Sequence, residues 1–140
     1  EGSIGIYTLN KKDDGRQGTH FLRCCVGMTD LAVTRWLCAR IPGSRLYAMT
    51  PKKTGLRQSY RLYVDRSYAA KLLRLLLPYL ITKRKRAEIA VAFQVDYCNY
   101  GAGQKRRAEI AKRERYRQEI KADIKATTNI PDGRVSVFQA

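Results

Sequence analysis

Histidine is nearly missing from this sequence: His20 stands alone among 140 residues. A zinc site, or a Ser-His or Cys-His catalytic pair, is therefore poorly supplied, and an isolated histidine beside a loop reads as a polar surface residue. The cysteines Cys24, Cys25, Cys38 and Cys98 include no pair at the two-residue spacing of a zinc knuckle. Cys24 and Cys25 are adjacent, so on a strand they point to opposite faces. Cys24 and Cys38 read as small buried apolar residues of a reducing, intracellular compartment, cytoplasm or nucleoid. Long apolar runs are absent too. The greasiest stretch, Leu72 to Ile81, is interrupted by Arg74 and Pro78 and is too short to span a bilayer. Acidic residues are the last scarcity: 12 Asp and Glu face 28 Lys and Arg, a formal charge of +16. Such an excess repels itself unless a polyanion neutralises it, so nucleic acid is the leading partner and a membrane surface the weaker one.

What is present is enough for one core. The apolar fraction is 44%, sufficient at this length for a single domain followed by a tail. Ile4 and Ile6 alternate with Ser3, Gly5 and Tyr7, the period-two pattern of a half-buried strand. Lys11 to Gly18, with Asp13-Asp14-Gly15, is turn chemistry. Phe21 to Met28 resumes extended character, so the two segments predict a hairpin. Thr29-Asp30 offers caps for a helix carrying Leu31, Val33, Trp36, Leu37 and Ile41, which Pro42-Gly43 ends. A second hairpin follows, with Leu46 and Ala48 on one strand, Leu62 and Val64 on the other, and a basic loop from Pro51 to Gln58 between them. Asp65 is placed to cap a helix from Arg66 to Leu77, ended or bent by Pro78. Lys83 to Tyr97 reads as a third helix, and Gln104 to Thr127 as a charged helical stretch with few apolar anchors, Ile110, Tyr116, Ile120 and Ile124.

Two successive hairpin-helix units predict an α+β fold, ββαββα, with one four-stranded antiparallel sheet, helices on one face, and a C-terminal basic helix. Turning Ile4, Ile6, Leu22, Cys24, Val26, Leu46, Leu62 and Val64 toward the helices leaves Tyr7, Arg23, Cys25, Arg45, Tyr47, Met49, Arg61 and Tyr63 outside. Aromatic cross-strand pairing on a wetted face accounts for the tyrosines alone. Three arginines interleaved with them, and Lys11, Lys12, Lys52, Lys53 and Arg57 in loops at the edges, favour a face that enters a duplex groove.

The chain resembles a LAGLIDADG homing endonuclease of the single-motif type. The pieces that carry the resemblance are Glu1-Gly2-Ser3-Ile4, Leu22 through Met28-Thr29-Asp30, Arg35-Trp36-Leu37, Pro42-Gly43-Ser44, Tyr60-Arg61, Leu77-Pro78-Tyr79-Leu80, Lys83 through Ala90, and Phe93-Gln94. They cover nearly all of residues 1–95, in order and at consistent spacing. The resemblance implies an αββαββα fold whose motif helix precedes Glu1, so a fragment lacking its first helix is expected. It divides the chain into an endonuclease domain, 1–100, and a loosely packed basic tail, 101–140.

The same resemblance implies metal-assisted hydrolysis of phosphodiester bonds in double-stranded DNA, as in the endonucleases of mobile introns, inteins or phage genes. Glu1 would hold Mg²⁺ or another divalent cation, Lys83 would stand near the scissile phosphate, Asp30 would help order the attacking water, and Arg35 would assist. Asp30 is first of all a good N-cap, and Lys83 lies in a basic run suited to binding backbone phosphate. A homodimer, or a second motif copy, would form through the helix ahead of Glu1 and read a pseudo-palindrome. The alternative is a non-cleaving protein of the same fold, an intron RNA maturase or a DNA-binding regulator. A third reading, a ribosomal-type RNA-binding domain, explains the charge but not an acid at the helix-strand junction.

Overall fold

The strands form where the alternation lies. The computed structural model describes residues 2–8, 20–51, 55, 57–98 and 106–128. It contains β1 (Gly2–Thr8), β2 (His20–Met28), α1 (Leu31–Arg40), β3 (Ser44–Met49), β4 (Ser59–Asp65), α2 (Arg66–Leu76), a 3-10 turn (Leu77–Tyr79), α3 (Arg84–Cys98) and α4 (Arg106–Thr128). The four strands make one antiparallel sheet in the order β1-β2-β4-β3. Ile4 stands opposite Cys24 and Ile6 opposite Leu22; Cys24 in turn faces Val64, and Leu62 faces Leu46. Because side chains alternate across a strand, this register gathers the apolar set on one face. The helices cover that face, an α+β architecture.

The core consists of Ile4, Ile6, Leu22, Cys24 and Val64 from the sheet, with Ala69, Ala70 and Leu73 from α2, Ala87, Ala90 and Phe93 from α3, and Ile120 from α4. Alanines on the inner faces of α2 and α3 let those helices lie close to the strands. Burial pushes the Cys24 thiol up to about 12, so it stays protonated and inert. Cys38, expected to be buried, is only half-buried and accepts a hydrogen bond from Ser44 Oγ.

Local chemistry sets the helix ends. At α1 the Asp30 carboxylate accepts the Val33 N–H at 3.0 Å, satisfying a donor that the helix cannot. The exit from α1 passes through Gly43 at φ +71°, where a Cβ would sit 2.5 Å from the Tyr68 ring. Only glycine suits that corner. Pro78 does end α2, falling in the 3-10 turn that follows it. Asp65 departs from expectation: it occupies the N-cap position of α2, yet its side chain makes no cap hydrogen bond. Two arginines hold it instead, since charge-assisted hydrogen bonds outcompete a neutral N–H.

The C-terminal helix also corrects the sequence reading. α4 is docked rather than loose, against α3 and β1. Ile120 is 2% exposed. Arg86 of α3 donates to Asp123 at 3.0 Å and to Thr127 at 3.0 Å, with both charged partners nearly buried. Tyr116 donates to Asp96 at 2.6 Å and meets Phe93 edge-on. His20, expected at the surface, is 5% exposed and pairs with Glu114 of α4 at 2.9 Å. Specific polar pairs hold the helix where its apolar stripe is thin, and periodicity does not register such pairs.

Candidate nucleic-acid interface

The face of the sheet turned away from the helices carries, across all four strands, Tyr7, Arg23, Cys25, Arg61, Tyr63, Arg45, Tyr47 and Met49. The register explains the grouping: Cys25 faces Tyr63 on one side and Ser3 on the other, Arg45 faces Tyr63, and Tyr47 faces Arg61. A shallow groove of about 410 Å³ runs over the β1-β2-β4 part of this face. Gly2, Ser3, Cys25 and Gly27 form its low floor, while Tyr7, Arg23, Tyr63 and Arg61 rise around it. Small residues make the depression and long ones the walls. Gly5 has a comparable role, since a Cβ there would come within 2.9 Å of the Tyr7 ring.

Arg23 is the best-held side chain of the face. Its Nε donates to Asp65 Oδ1 at 2.7 Å and its Nη2 to Asp65 Oδ2 at 2.9 Å, a bidentate pair. Its guanidinium lies 4.7 Å from the centre of the Tyr63 ring and 5.0 Å from that of Phe21, within the range of cation–π attraction. Arg45 donates to the same Asp65 Oδ2. Burial pushes the Asp65 carboxyl up, but the hydrogen bonds and charges of Arg23 and Arg45 outweigh it and hold the carboxyl below the usual carboxylate range. Tyr47 and Tyr63 pack edge to face at 5.5 Å. Arg61 is exposed and engages the Tyr63 hydroxyl.

Sequence reasoning took Asp65 for a helix cap and missed its place on this face. The signal was available, because Arg61, Tyr63 and Asp65 continue one period-two row along β4. Phe21, on the same row as Arg23 and Cys25, was likewise unassigned; it lies under the Arg23 guanidinium and beside the Tyr7 ring.

At one end of the sheet stand the residues considered for chemistry. Lys83, just ahead of α3, donates its ammonium to the carbonyl of Gly2, the residue after Glu1. Asp30 follows β2 and is engaged as the α1 cap. Arg35 lies on α1, exposed; its neighbour Thr34 is fully buried and donates to the carbonyl of Asp30 at 2.9 Å. Arg57 is exposed between β3 and β4. Glu1, Lys11, Lys12, Lys52 and Lys53 lie outside the described residues. Among the described residues no group of three His, Cys, Asp or Glu side chains could cage a metal, and no helix is long and apolar enough to cross a membrane.

The fold is that of DNA-bound homing endonucleases of known structure. I-CvuI in complex with its target in the presence of calcium superposes with a TM-score of 0.69 at 14% identity, covering 87% of this chain and 73% of that one. A second I-CvuI complex, solved with magnesium and with its DNA not cleaved, gives 0.67 at 14% identity over 87% and 73% of the two chains. The archaeal intron-encoded homing endonuclease I-Vdi141I, complexed with DNA, gives 0.67 at 15% identity over 88% and 76%. No family model matches the chain, and no curated protein matches it by sequence.

Proposed function

We propose that this chain is a site-specific, divalent-metal-dependent DNA endonuclease of the LAGLIDADG homing type, acting on double-stranded DNA. The observation that carries the reading is the open sheet face, where arginines and tyrosines of β1, β2 and β4 surround a groove floored by small residues and Arg45 and Tyr47 of β3 extend the same face. That surface suits the edges of bases in a major groove, flanked by phosphates that basic loops would meet. The structural neighbours are DNA complexes of homing endonucleases, which supports the same partner.

For the chemistry, Glu1 would supply the carboxylate for Mg²⁺. Magnesium is commonly held by one or two carboxylates plus substrate phosphates and water rather than by an all-protein cage, so Glu1 would share the ion with the substrate. When bound, the ion supplies charge neutralisation and a more acidic water. Lys83, tied to the residue after Glu1, would offset charge developing on the phosphate. Asp30 and Arg35 would be auxiliary, Asp30 orienting water when it leaves its cap. A homodimer would place two such ends on opposite strands of a pseudo-palindrome.

The test is a selection from random duplex DNA in Ca²⁺, followed by exposure of the selected sites to Mg²⁺. Recovery of a pseudo-palindrome of about 20 bp, roughly two helical turns, cut only in Mg²⁺, is the expected result. One observation favours the second reading, a non-cleaving maturase or regulator. Both Asp30 and Lys83 are engaged with backbone groups of the protein itself. Binding without cutting, or preference for structured RNA, would establish that reading instead.

A further inference from the structure

Asp65 is an acid set on a strongly basic face, and the local backbone is arranged to keep it there. It stands at the N-cap of α2 without capping it, and the next residue, Arg66, takes φ +54°, a left-handed conformation unfavourable for a side-chain-bearing residue. A helix start that forgoes its cap and turns through a strained residue is a sacrifice of local stability. Its result is a carboxylate held toward Arg23 and Arg45. Both Asp65 oxygens are engaged, Oδ1 by Arg23 and Oδ2 by Arg23 and Arg45, so Asp65 is poorly placed to read a base itself.

We propose that Asp65 is a positioning residue that makes Arg23 a fixed reader of a guanine edge, with Arg45 as its outer partner; this rests on the reading of the open face as a duplex-binding surface. Asp65 takes the Nε and Nη2 side of the Arg23 guanidinium. The Nη1–Nη2 end, with donors in the fork that matches guanine O6 and N7, remains. The Tyr63 and Phe21 rings, over which the guanidinium lies, restrict rotation of the fork. Arg23 stays 27% exposed and lines the groove, so its remaining edge is within reach. The carboxylate offsets one of the two arginine charges here, so the pull on a phosphate is weaker than from a free arginine pair and a base edge is the favoured contact. Arg61, exposed and leaning on a phenol, lacks this rigid frame.

The inference is tested with the full chain by selection from a randomised duplex pool, comparing wild type, Asp65→Asn and Arg23→Lys. Wild type should enrich guanine at a fixed position in each half-site. Asp65→Asn, which removes a negative charge, should bind random duplex as tightly or a few-fold more tightly, while its preference for that guanine falls about tenfold. Arg23→Lys keeps the charge but loses the fork and should lose the same preference, which preserves the test should Asp65→Asn fail to fold. Unchanged guanine preference in a folded Asp65→Asn, or an equal loss of affinity for every sequence, overturns the inference and leaves the duplex reading intact. Wild-type chain that binds no duplex at low salt overturns the duplex reading itself, and this inference with it.

Discussion

Gly43 and Asp65 show what single residues must satisfy here. At Gly43 a positive φ coincides with the Tyr68 ring lying where a Cβ would go. Gly43→Ala should therefore destabilise the protein by about 2–4 kcal/mol, combining left-handed strain with overpacking, read as a lower urea midpoint at unchanged m-value. Asp65 links the face to acid stability. Its carboxyl lies below the ordinary value of 3.8 in the folded state, so its ion pairs contribute fully above that value. The contribution is lost as pH falls through the depressed folded-state value, where the carboxylate takes up a proton. Urea unfolding from neutral pH into the acid range should show this loss in the wild type and a shallower one in Asp65→Asn. Identical acid limbs for the two proteins would show that the Arg23–Asp65–Arg45 cluster carries no folding linkage.

Among the elements, the strands, α2 and α3 were legible from apolar spacing, as in Ile4 and Ile6, Leu62 and Val64, Ala87 and Ala90, and α1 from its Asp30 cap and Pro42-Gly43 stop, since Val33 and Trp36 on it are exposed. α4 was legible as a helix but not as a packed one. Its docking depends on Arg86 meeting Asp123, Tyr116 meeting Asp96, and His20 meeting Glu114, pairs separated along the chain that no periodicity reveals. Arg86→Ala leaves Asp123 buried without its charge partner and should cost about 3–5 kcal/mol. Replacing both by apolar residues of similar volume, Arg86→Met with Asp123→Leu, should lose much less. Chemical denaturation together with protease sensitivity of α4 separates these outcomes; equal losses for single and double variants would show that packing, not the ion pair, anchors the helix.

For the whole molecule, the proposed duplex binding would be governed by charge. Of the cations considered on or beside the open face, Arg23 and Arg45 are tied to Asp65. Among the described residues Arg61 and Arg57 are exposed, and the loop lysines Lys11, Lys12, Lys52 and Lys53, outside the described residues, would bring the proposed phosphate contacts to six. Neutralisation of about six phosphates predicts a slope of log Kobs against log salt near −5 for random duplex. A slope near zero would exclude phosphate contact as the source of affinity. Glu1→Gln should abolish Mg²⁺-dependent cleavage while duplex affinity is kept or increased, because it removes a metal donor and a negative charge. Equal cleavage by this variant would remove Glu1 from the metal site and with it the chemistry proposed.

The sequence by itself determined the two hairpins, the α+β architecture and the division of the sheet into a buried and an open face, while the central β2–β4 pairing came from the fold. The first three follow from spacing alone, since period two and period 3.6 sort residues by side without reference to what they touch. Tertiary structure decided which side chains meet. It brought Lys83 to Gly2, 81 residues away in the chain, drew Asp65 from a helix cap to Arg23 and Arg45, and buried His20 against Glu114. Each depends on distance and direction in space, and a charge is free to choose among partners until the fold limits that choice.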